Sequence, residues 1–176
     1  RQMCIRDRDE AEDNVDEIYV DIDPLPVIVD MLDARKPDAP LIHEDWGDNV
    51  FLETQMSAGQ PEPLLSAPIK VNRKLRMSRQ CMAPLEGRGV VAQWDSRLAQ
   101  LTVYTSTQIP HIARSGLSEC LGLDESSIRV ISPDVGGGFG YKGLLLPEEV
   151  IVCWLALKRE NPVRWIEDRR EALTAA

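Results

Sequence analysis

Five of the eight residues from Gly136 to Gly143 are glycine, with Phe139 set among them. A segment this rich in glycine cannot be the interior of a helix or strand. Each glycine adds backbone entropy to be lost and offers no side chain to pack. It can adopt positive φ, and it lets backbone N–H groups approach a ligand closely. An apolar run, Ile128 to Ile131, precedes it, and a helical pattern opens after it at Pro147. Strand, glycine loop, helix is an arrangement that builds ligand sites, so the rest of the chain is read around it.

Gly138-Phe139-Gly140-Tyr141-Lys142-Gly143 matches GxGxxG, and the acidic pair Glu167 and Asp168 follows the next apolar run. That is a superficial dinucleotide fingerprint. Two features weigh against it. In that motif the turn leads straight into a helix whose N-terminus receives phosphate. Here Leu144 to Pro147 intervene, and Glu148 and Glu149 would repel an anion. Lys142 is followed by Gly143 rather than Ser or Thr, which excludes a Walker loop. A Rossmann-type nucleotide binder and a purely structural turn stay open as alternatives.

The chain around the loop mixes strand and helix signals. Val90 to Trp94 and Leu101 to Thr105 alternate as strands joined by a turn at Asp95-Ser96-Arg97. Pro110 suits the first turn of a helix, which carries Ile112, Leu117, Cys120 and Leu121 as an apolar face and ends at Gly122. Pro147-Glu148-Glu149 opens a second helix, apolar nearly all round and so expected to be buried. Pro162 to Ile166 reads as a strand and Glu167 onward as a helix cut off at Ala176. Earlier in the chain, Asp9 to Asp16 suggests the end of a helix. Glu17 to Ile22, Asn49 to Met56 and Ile69 to Met77 suggest strands. Residues 33–48 read as a linker. The expected fold class is α+β: mixed sheets with interleaved helices.

Charge and cysteine usage narrow the function. The net charge of −9 divides into −11 over residues 1–60 and +2 beyond, which argues against a nucleic-acid binder. Lys70, Arg73, Lys74, Arg76 and Arg79 form a basic cluster, read as a solvated face or subunit contact, with a role near an anionic cofactor as the other possibility. Cys4, Cys81, Cys120 and Cys153 form no CxxC, and His43 lies far from His111, so neither a zinc site nor an iron–sulfur cluster is expected in this chain. No apolar run approaches the ~20 residues that span a bilayer. The lack of a secretory signal or a disulfide pattern points to the cytoplasm. Residues 1–8 read as a non-native leader.

Several stretches together resemble the xanthine dehydrogenase/aldehyde oxidase family of molybdenum hydroxylases, most of all large subunits of the aerobic carbon monoxide dehydrogenase type. They are Ile131-Ser132-Pro133-Asp134-Val135 with the glycines after it, Leu146-Pro147-Glu148-Glu149, and Pro162 to Glu171. Thr105-Ser106-Thr107-Gln108-Ile109-Pro110-His111 is similar to the family's STQxPH segment. Pro84-Leu85-Glu86-Gly87-Arg88-Gly89 is similar to its PxEPRG connection, with Gly87 for the proline. Asp21-Ile22-Asp23-Pro24-Leu25-Pro26 resembles the end of the family's small hammerhead domain.

The resemblance implies residues 9–36 as the end of an α/β hammerhead domain and 37–176 as the first part of a molybdopterin-binding domain, within a fragment of a longer subunit. It implies a molybdenum–molybdopterin cofactor, in its cytosine dinucleotide form, with no metal ligand from this chain. FAD and [2Fe-2S] are then expected on partners, an FAD-binding medium subunit and an iron–sulfur small subunit, in a dimer of heterotrimers without an integral membrane segment. Gln108 and Phe139 are the implied catalytic residues. Gln108, Gly137, Gly138, Phe139 and Gly140 are the implied cofactor-binding ones, with the amide at Phe139–Gly140 donating toward the metal's oxo ligands. Tyr104, Tyr141 and Lys142 are read as packing or surface residues. Gly143 stands where purine-oxidising members carry a substrate-contacting Glu, which speaks against a purine. The implied reaction is oxidative hydroxylation with water-derived oxygen on an aldehyde, carbon monoxide or heterocycle-type substrate. The implied catalytic Glu would lie beyond Ala176, so the isolated chain is expected to be inactive. A non-catalytic scaffold of the same fold is the alternative.

Overall fold

A computed structural model describes residues 8–59, 66–78 and 80–174. The chain divides into two compact units, Arg1–Val71 and Asn72–Ala176.

The first unit holds helix α1 (Arg8–Val15) and a 3-10 turn at Glu44–Trp46. Asn49 organises the loop around that turn. Its Oδ1 accepts from the Ile42 N–H at 2.8 Å, and its Nδ2 donates to the carbonyls of Ala34 and Pro40 at 3.0 and 2.9 Å. The strands expected at 17–22, 49–56 and 69–77 are not formed. Val27, Val29 and Phe51 stand largely exposed. Alternation can give a segment two faces, but a strand exists only where another strand offers it a ladder, and none does so among the described residues.

The second unit is built on one mixed sheet of four strands, in the order β3-β2-β1-β4. Strands β1 (Gly89–Asp95) and β2 (Gln100–Thr105) form an antiparallel hairpin. The Asp95 Oδ1 closes its turn by accepting from the N–H groups of Arg97 and Leu98 at 2.9 and 3.2 Å. Strand β3 (Ile128–Ile131) pairs parallel to β2, and β4 (Val163–Ile166) antiparallel to β1. Helix α2 (Pro110–Leu121) crosses over from β2 to β3. Helix α3 (Pro147–Arg159) links β3 to β4, and α4 (Arg169–Thr174) follows. The mixed α and β architecture is as expected.

Period-2 alternation places Val90, Ala92, Leu101, Val103 and Ile128 on one sheet face. There they bury against Leu117 of α2 and Val152, Cys153 and Ala156 of α3. Both helices present narrower apolar faces than expected. In α2 the inward residues are Ala113 and Leu117, while Ile112 and Cys120 are exposed. In α3, Ile151 and Trp154 remain about half exposed. A helix lying on one sheet buries only the stripe at i, i+3, i+4 that meets it, and Val152, Cys153 and Ala156 form that stripe.

Candidate active site

The topology brings four connections to one end of the sheet. Val90 pairs with Thr105, Gly89 with Ile166 and Tyr104 with Ile131. The start of β1 and the ends of β2, β3 and β4 therefore share an edge. Pro84 to Arg88 enters there, and Thr107-Gln108, the glycine loop and Glu167 leave there. Cross-links tie these segments together. The Lys142 carbonyl accepts from the Gln108 N–H at 2.9 Å and from the Thr107 Oγ1 at 3.3 Å. The Ser132 hydroxyl donates to the Thr107 carbonyl at 2.8 Å.

Gln108 reaches into the glycine turn, where its Oε1 accepts from the Gly140 N–H at 3.0 Å. The Gly140 amide is therefore engaged by Gln108. A Cβ on Gly138 would fall on the Gln108 carboxamide, so the close approach requires glycine. Gly137 and Gly140 have φ of 96° and 93°, in the region that favours glycine. Phe139 adopts φ 55° without that licence, and its ring is 72% exposed. A large apolar ring held in left-handed backbone and turned to the surface is strain of a kind concentrated at functional sites.

The N–H groups of Gly137, Gly138 and Phe139 have no hydrogen-bond partner among the described residues, and neither has the Gln108 Nε2. Gly138 is itself buried. Buried backbone donors are nearly always paired in native structures. This cluster of free donors beside a projecting ring suits a ligand rich in acceptors.

Beneath the turn lies a set of buried charges. The Arg88 guanidinium lies 5.1 Å from the ring centroids of both Tyr141 and Trp165. Its Nε and Nη2 donate to the Glu167 Oε1 at 2.9 and 2.8 Å, and its backbone N–H to Oε2 at 2.9 Å. The Tyr141 hydroxyl also donates to Glu167. Glu148 takes the other side of the guanidinium at 3.1 and 3.3 Å. Burial alone would raise the Glu167 carboxyl, but hydrogen bonds from Arg88 and Tyr141 outweigh it and hold it below its ordinary value. Burial and the same carboxylate push the Tyr141 phenol up to about 12.

Glu86 carries a second ion pair. Its Oε2 accepts from the buried Lys142 Nζ at 2.6 Å and from the Gly136 N–H at 2.8 Å. The bond from Lys142 is the main reason its carboxyl is depressed. Among the described residues no group of three or more His, Cys, Asp or Glu is placed to hold a metal ion. No helix there is long and apolar enough to cross a membrane.

Gln108, Gly137, Gly138, Phe139 and Gly140 are thus one constellation. Glu86, Arg88 and Glu167 were not expected in it. The signal available was their position inside the two segments carrying the family likeness, since isolated charges ordinarily suggest a surface. The Rossmann alternative is overturned. Glu167, the acid of that fingerprint, is consumed by Arg88, and Glu148 and Glu149 close the start of α3. The Glu149 Oε1 accepts from the Thr105 hydroxyl at 2.6 Å, and its Oε2 from the Leu146 N–H at 3.0 Å.

Comparison with known proteins agrees with this geometry. The sequence profile of the molybdopterin cofactor-binding domain matches residues 42–176. The chain is 35% identical to the carbon monoxide dehydrogenase large chain of Hydrogenophaga pseudoflava, over 96% of its own length and 23% of that protein's. It is 38% identical to the nicotine 6-hydroxylase large subunit of Paenarthrobacter nicotinovorans, over 94% and 20%. Quinoline 2-oxidoreductase from Pseudomonas putida 86 superposes with a TM-score of 0.82 at 35% identity, over 94% of this chain and 21% of that one. The chain thus spans less than a quarter of the length of these relatives. With its profile match, its relatives and its fold in accord, the chain belongs to the molybdopterin cofactor-binding domain family, among the relatives of xanthine dehydrogenase and carbon monoxide dehydrogenase.

Proposed function

We propose that this chain is a fragment of the molybdenum-cofactor-binding large subunit of an oxidoreductase that hydroxylates an aldehyde, carbon monoxide or heterocycle-type substrate with water-derived oxygen. The observation that carries the proposal is the meeting of Gln108 with the turn Gly137 to Gly140. Free N–H groups at Gly137, Gly138 and Phe139 lie beside a free Gln108 Nε2. That donor set fits an oxo- and pterin-bearing group, which is rich in acceptors.

When bound, the molybdenum–molybdopterin cofactor, proposed in its cytosine dinucleotide form, supplies the two-electron oxidation and the oxygen transfer. The chain's own residues bind, orient and shield. The turn's backbone N–H groups are preorganised donors, fixed before reaction and so free of reorganisation cost. The Gln108 Nε2 is free to donate toward an oxo group while its Oε1 is held by Gly140. With the cofactor against it, the exposed Phe139 ring would form an apolar wall that excludes water.

Electrons would leave through an FAD-binding medium subunit and an iron–sulfur small subunit in a cytoplasmic dimer of heterotrimers. Residues 9–36 would be the end of a hammerhead domain, and 37–176 the first part of the cofactor domain. Gly143, in place of the acid of purine oxidisers, favours a non-purine substrate. The 176-residue chain alone would be inactive.

The test is the cofactor-loaded full-length protein with Gln108→Ala and Phe139→Ala. Both should retain the fold by circular dichroism and lose most of their turnover. Unchanged kinetics in both variants sinks the site assignment, and purified protein without molybdenum or pterin would support a non-catalytic scaffold instead.

A further inference from the structure

The glycine turn is gripped from outside by one carboxylate. The Glu86 Oε2 accepts from the Gly136 N–H at 2.8 Å on one side of the turn and from the Lys142 Nζ at 2.6 Å on the other. The Glu86 N–H donates in return to the Gly136 carbonyl at 3.1 Å. The fit is close enough to dictate sequence, since a Cβ on Gly136 would lie 2.6 Å from the Glu86 Cβ.

The Lys142 side chain is fully buried and Glu86 is its sole ion-pair partner among the described residues. A buried ammonium needs its counter-charge, so Lys142 is committed to Glu86. The Lys142 carbonyl in turn accepts from the Gln108 N–H at 2.9 Å. The carboxylate therefore fixes both ends of the donor turn and, through Lys142, the backbone carrying Gln108. Phe139, with φ 55°, sits inside the bracket. A strained residue persists only where its surroundings over-determine it, and Glu86 supplies that constraint from both flanks.

We propose that Glu86 is a positioning residue: it staples Gly136 to Lys142 and so holds the backbone donors of residues 137–139 and the Gln108 amide in one fixed array. The staple acts on the apo protein; its consequence for cofactor retention rests on the function proposed above.

Amide hydrogen exchange on cofactor-free protein tests the staple itself, comparing the wild type with Glu86→Gln and Glu86→Ala. Loss of a charge-assisted hydrogen bond should speed exchange at the hydrogen-bonded amides of Gly136, Gly140, Tyr141 and Gly143, and at Gln108, by about tenfold to a hundredfold in Glu86→Ala. Glu86→Gln, which keeps an acceptor, should fall between. Amides of β1 and β2, which exchange on global opening, should speed up by a smaller factor, no more than the fall in stability read from denaturant titration. Wild-type exchange in the loop of Glu86→Ala overturns the proposal, and so does equal acceleration across β1 and β2, which would mean plain destabilisation.

A second arm measures molybdenum and pterin per protein after gel filtration. Glu86→Ala should lose more than half of its cofactor, with partial recovery in Glu86→Gln; full retention in Glu86→Ala overturns the link to the site. Wild-type protein carrying no pterin counts against the proposed function, while the exchange arm still decides the staple.

Discussion

Glu167→Gln is the perturbation whose cost can be worked most directly from the structure. The Glu167 side chain is completely buried and takes three hydrogen bonds from Arg88 and one from Tyr141. Glutamine keeps one acceptor oxygen but turns an NH2 toward an Arg88 donor, whichever way the amide is flipped. It also removes the charge facing a guanidinium that is only 8% exposed. Breaking a buried ion pair by removing one partner costs about 3–5 kcal/mol. Glu148 remains at 3.1 Å and is 35% exposed, which favours the lower end, about 3 kcal/mol. At roughly 4–8 °C per kcal/mol for a domain near the size of the unit Asn72–Ala176, the apparent Tm of that unit in the cofactor-free protein should fall by about 12–24 °C. The decisive assay is a double-mutant cycle with Arg88→Met and Glu167→Leu, since replacing both partners by apolar groups of similar volume is far milder than stranding one. The double variant should be more stable than the sum of the single losses predicts, by about 2 kcal/mol. Additivity within about 0.5 kcal/mol would refute the claim that these residues form one unit.

Burial, and then the nearby Glu149 charge, push the Cys153 thiol up to about 12. Native labelling with a maleimide at pH 8 should therefore leave Cys153 unmodified until the protein is denatured, and rapid native modification seen by mass spectrometry would contradict its burial. Glu160 ends α3 at φ 52°. Glu160→Gly should raise stability by about 1 kcal/mol in denaturant titration, because glycine takes left-handed backbone without penalty; a loss would count against that cap geometry. Glu86, Glu148 and Glu167 all have depressed carboxyls. Their contribution to stability is present above the ordinary carboxylate value of about 4.3 and is lost as pH falls through their folded values. Tm should be insensitive to these groups near neutrality and should drop below about pH 4. A Tm that rises on acidification would show the sign to be wrong.

Some of the fold could be read from the chain because its determinants are local. Val90 to Ile131 alternates and is punctuated by Pro110 and by Gly122 at φ 66°, so its hairpin, helix and strand stand where expected. The stretches 17–22, 49–56 and 69–77 alternate too, but pairing is non-local, and the pattern does not say whether a partner strand exists. The same limit explains α3. Its sequence says that it is apolar, and only the sheet beside it decides that Ile151 faces out and Cys153 in. At the site, Gln108 and the glycines stand out through a family likeness and through backbone demands that only glycine meets. Glu86, Arg88 and Glu167 do not, because a charged residue suggests solvent unless its counter-charge is known. Those counter-charges lie 56 and 79 residues away in sequence.

The connections that gather at one end of the sheet leave the turn of the β1–β2 hairpin at the other. The Ser96–Ala99 turn of the hairpin lies a full strand of seven residues from Gly89, about 20 Å at ~3.3 Å per residue. Arg97 and Leu98 there are exposed, and six residue pairs hold β1 against β2 behind the tip. For an experimenter this makes the hairpin tip the place to attach a fluorophore, a spin label or a short affinity epitope. From that position a reporter would sense motion or cofactor loading at the far edge without touching the residues that create it.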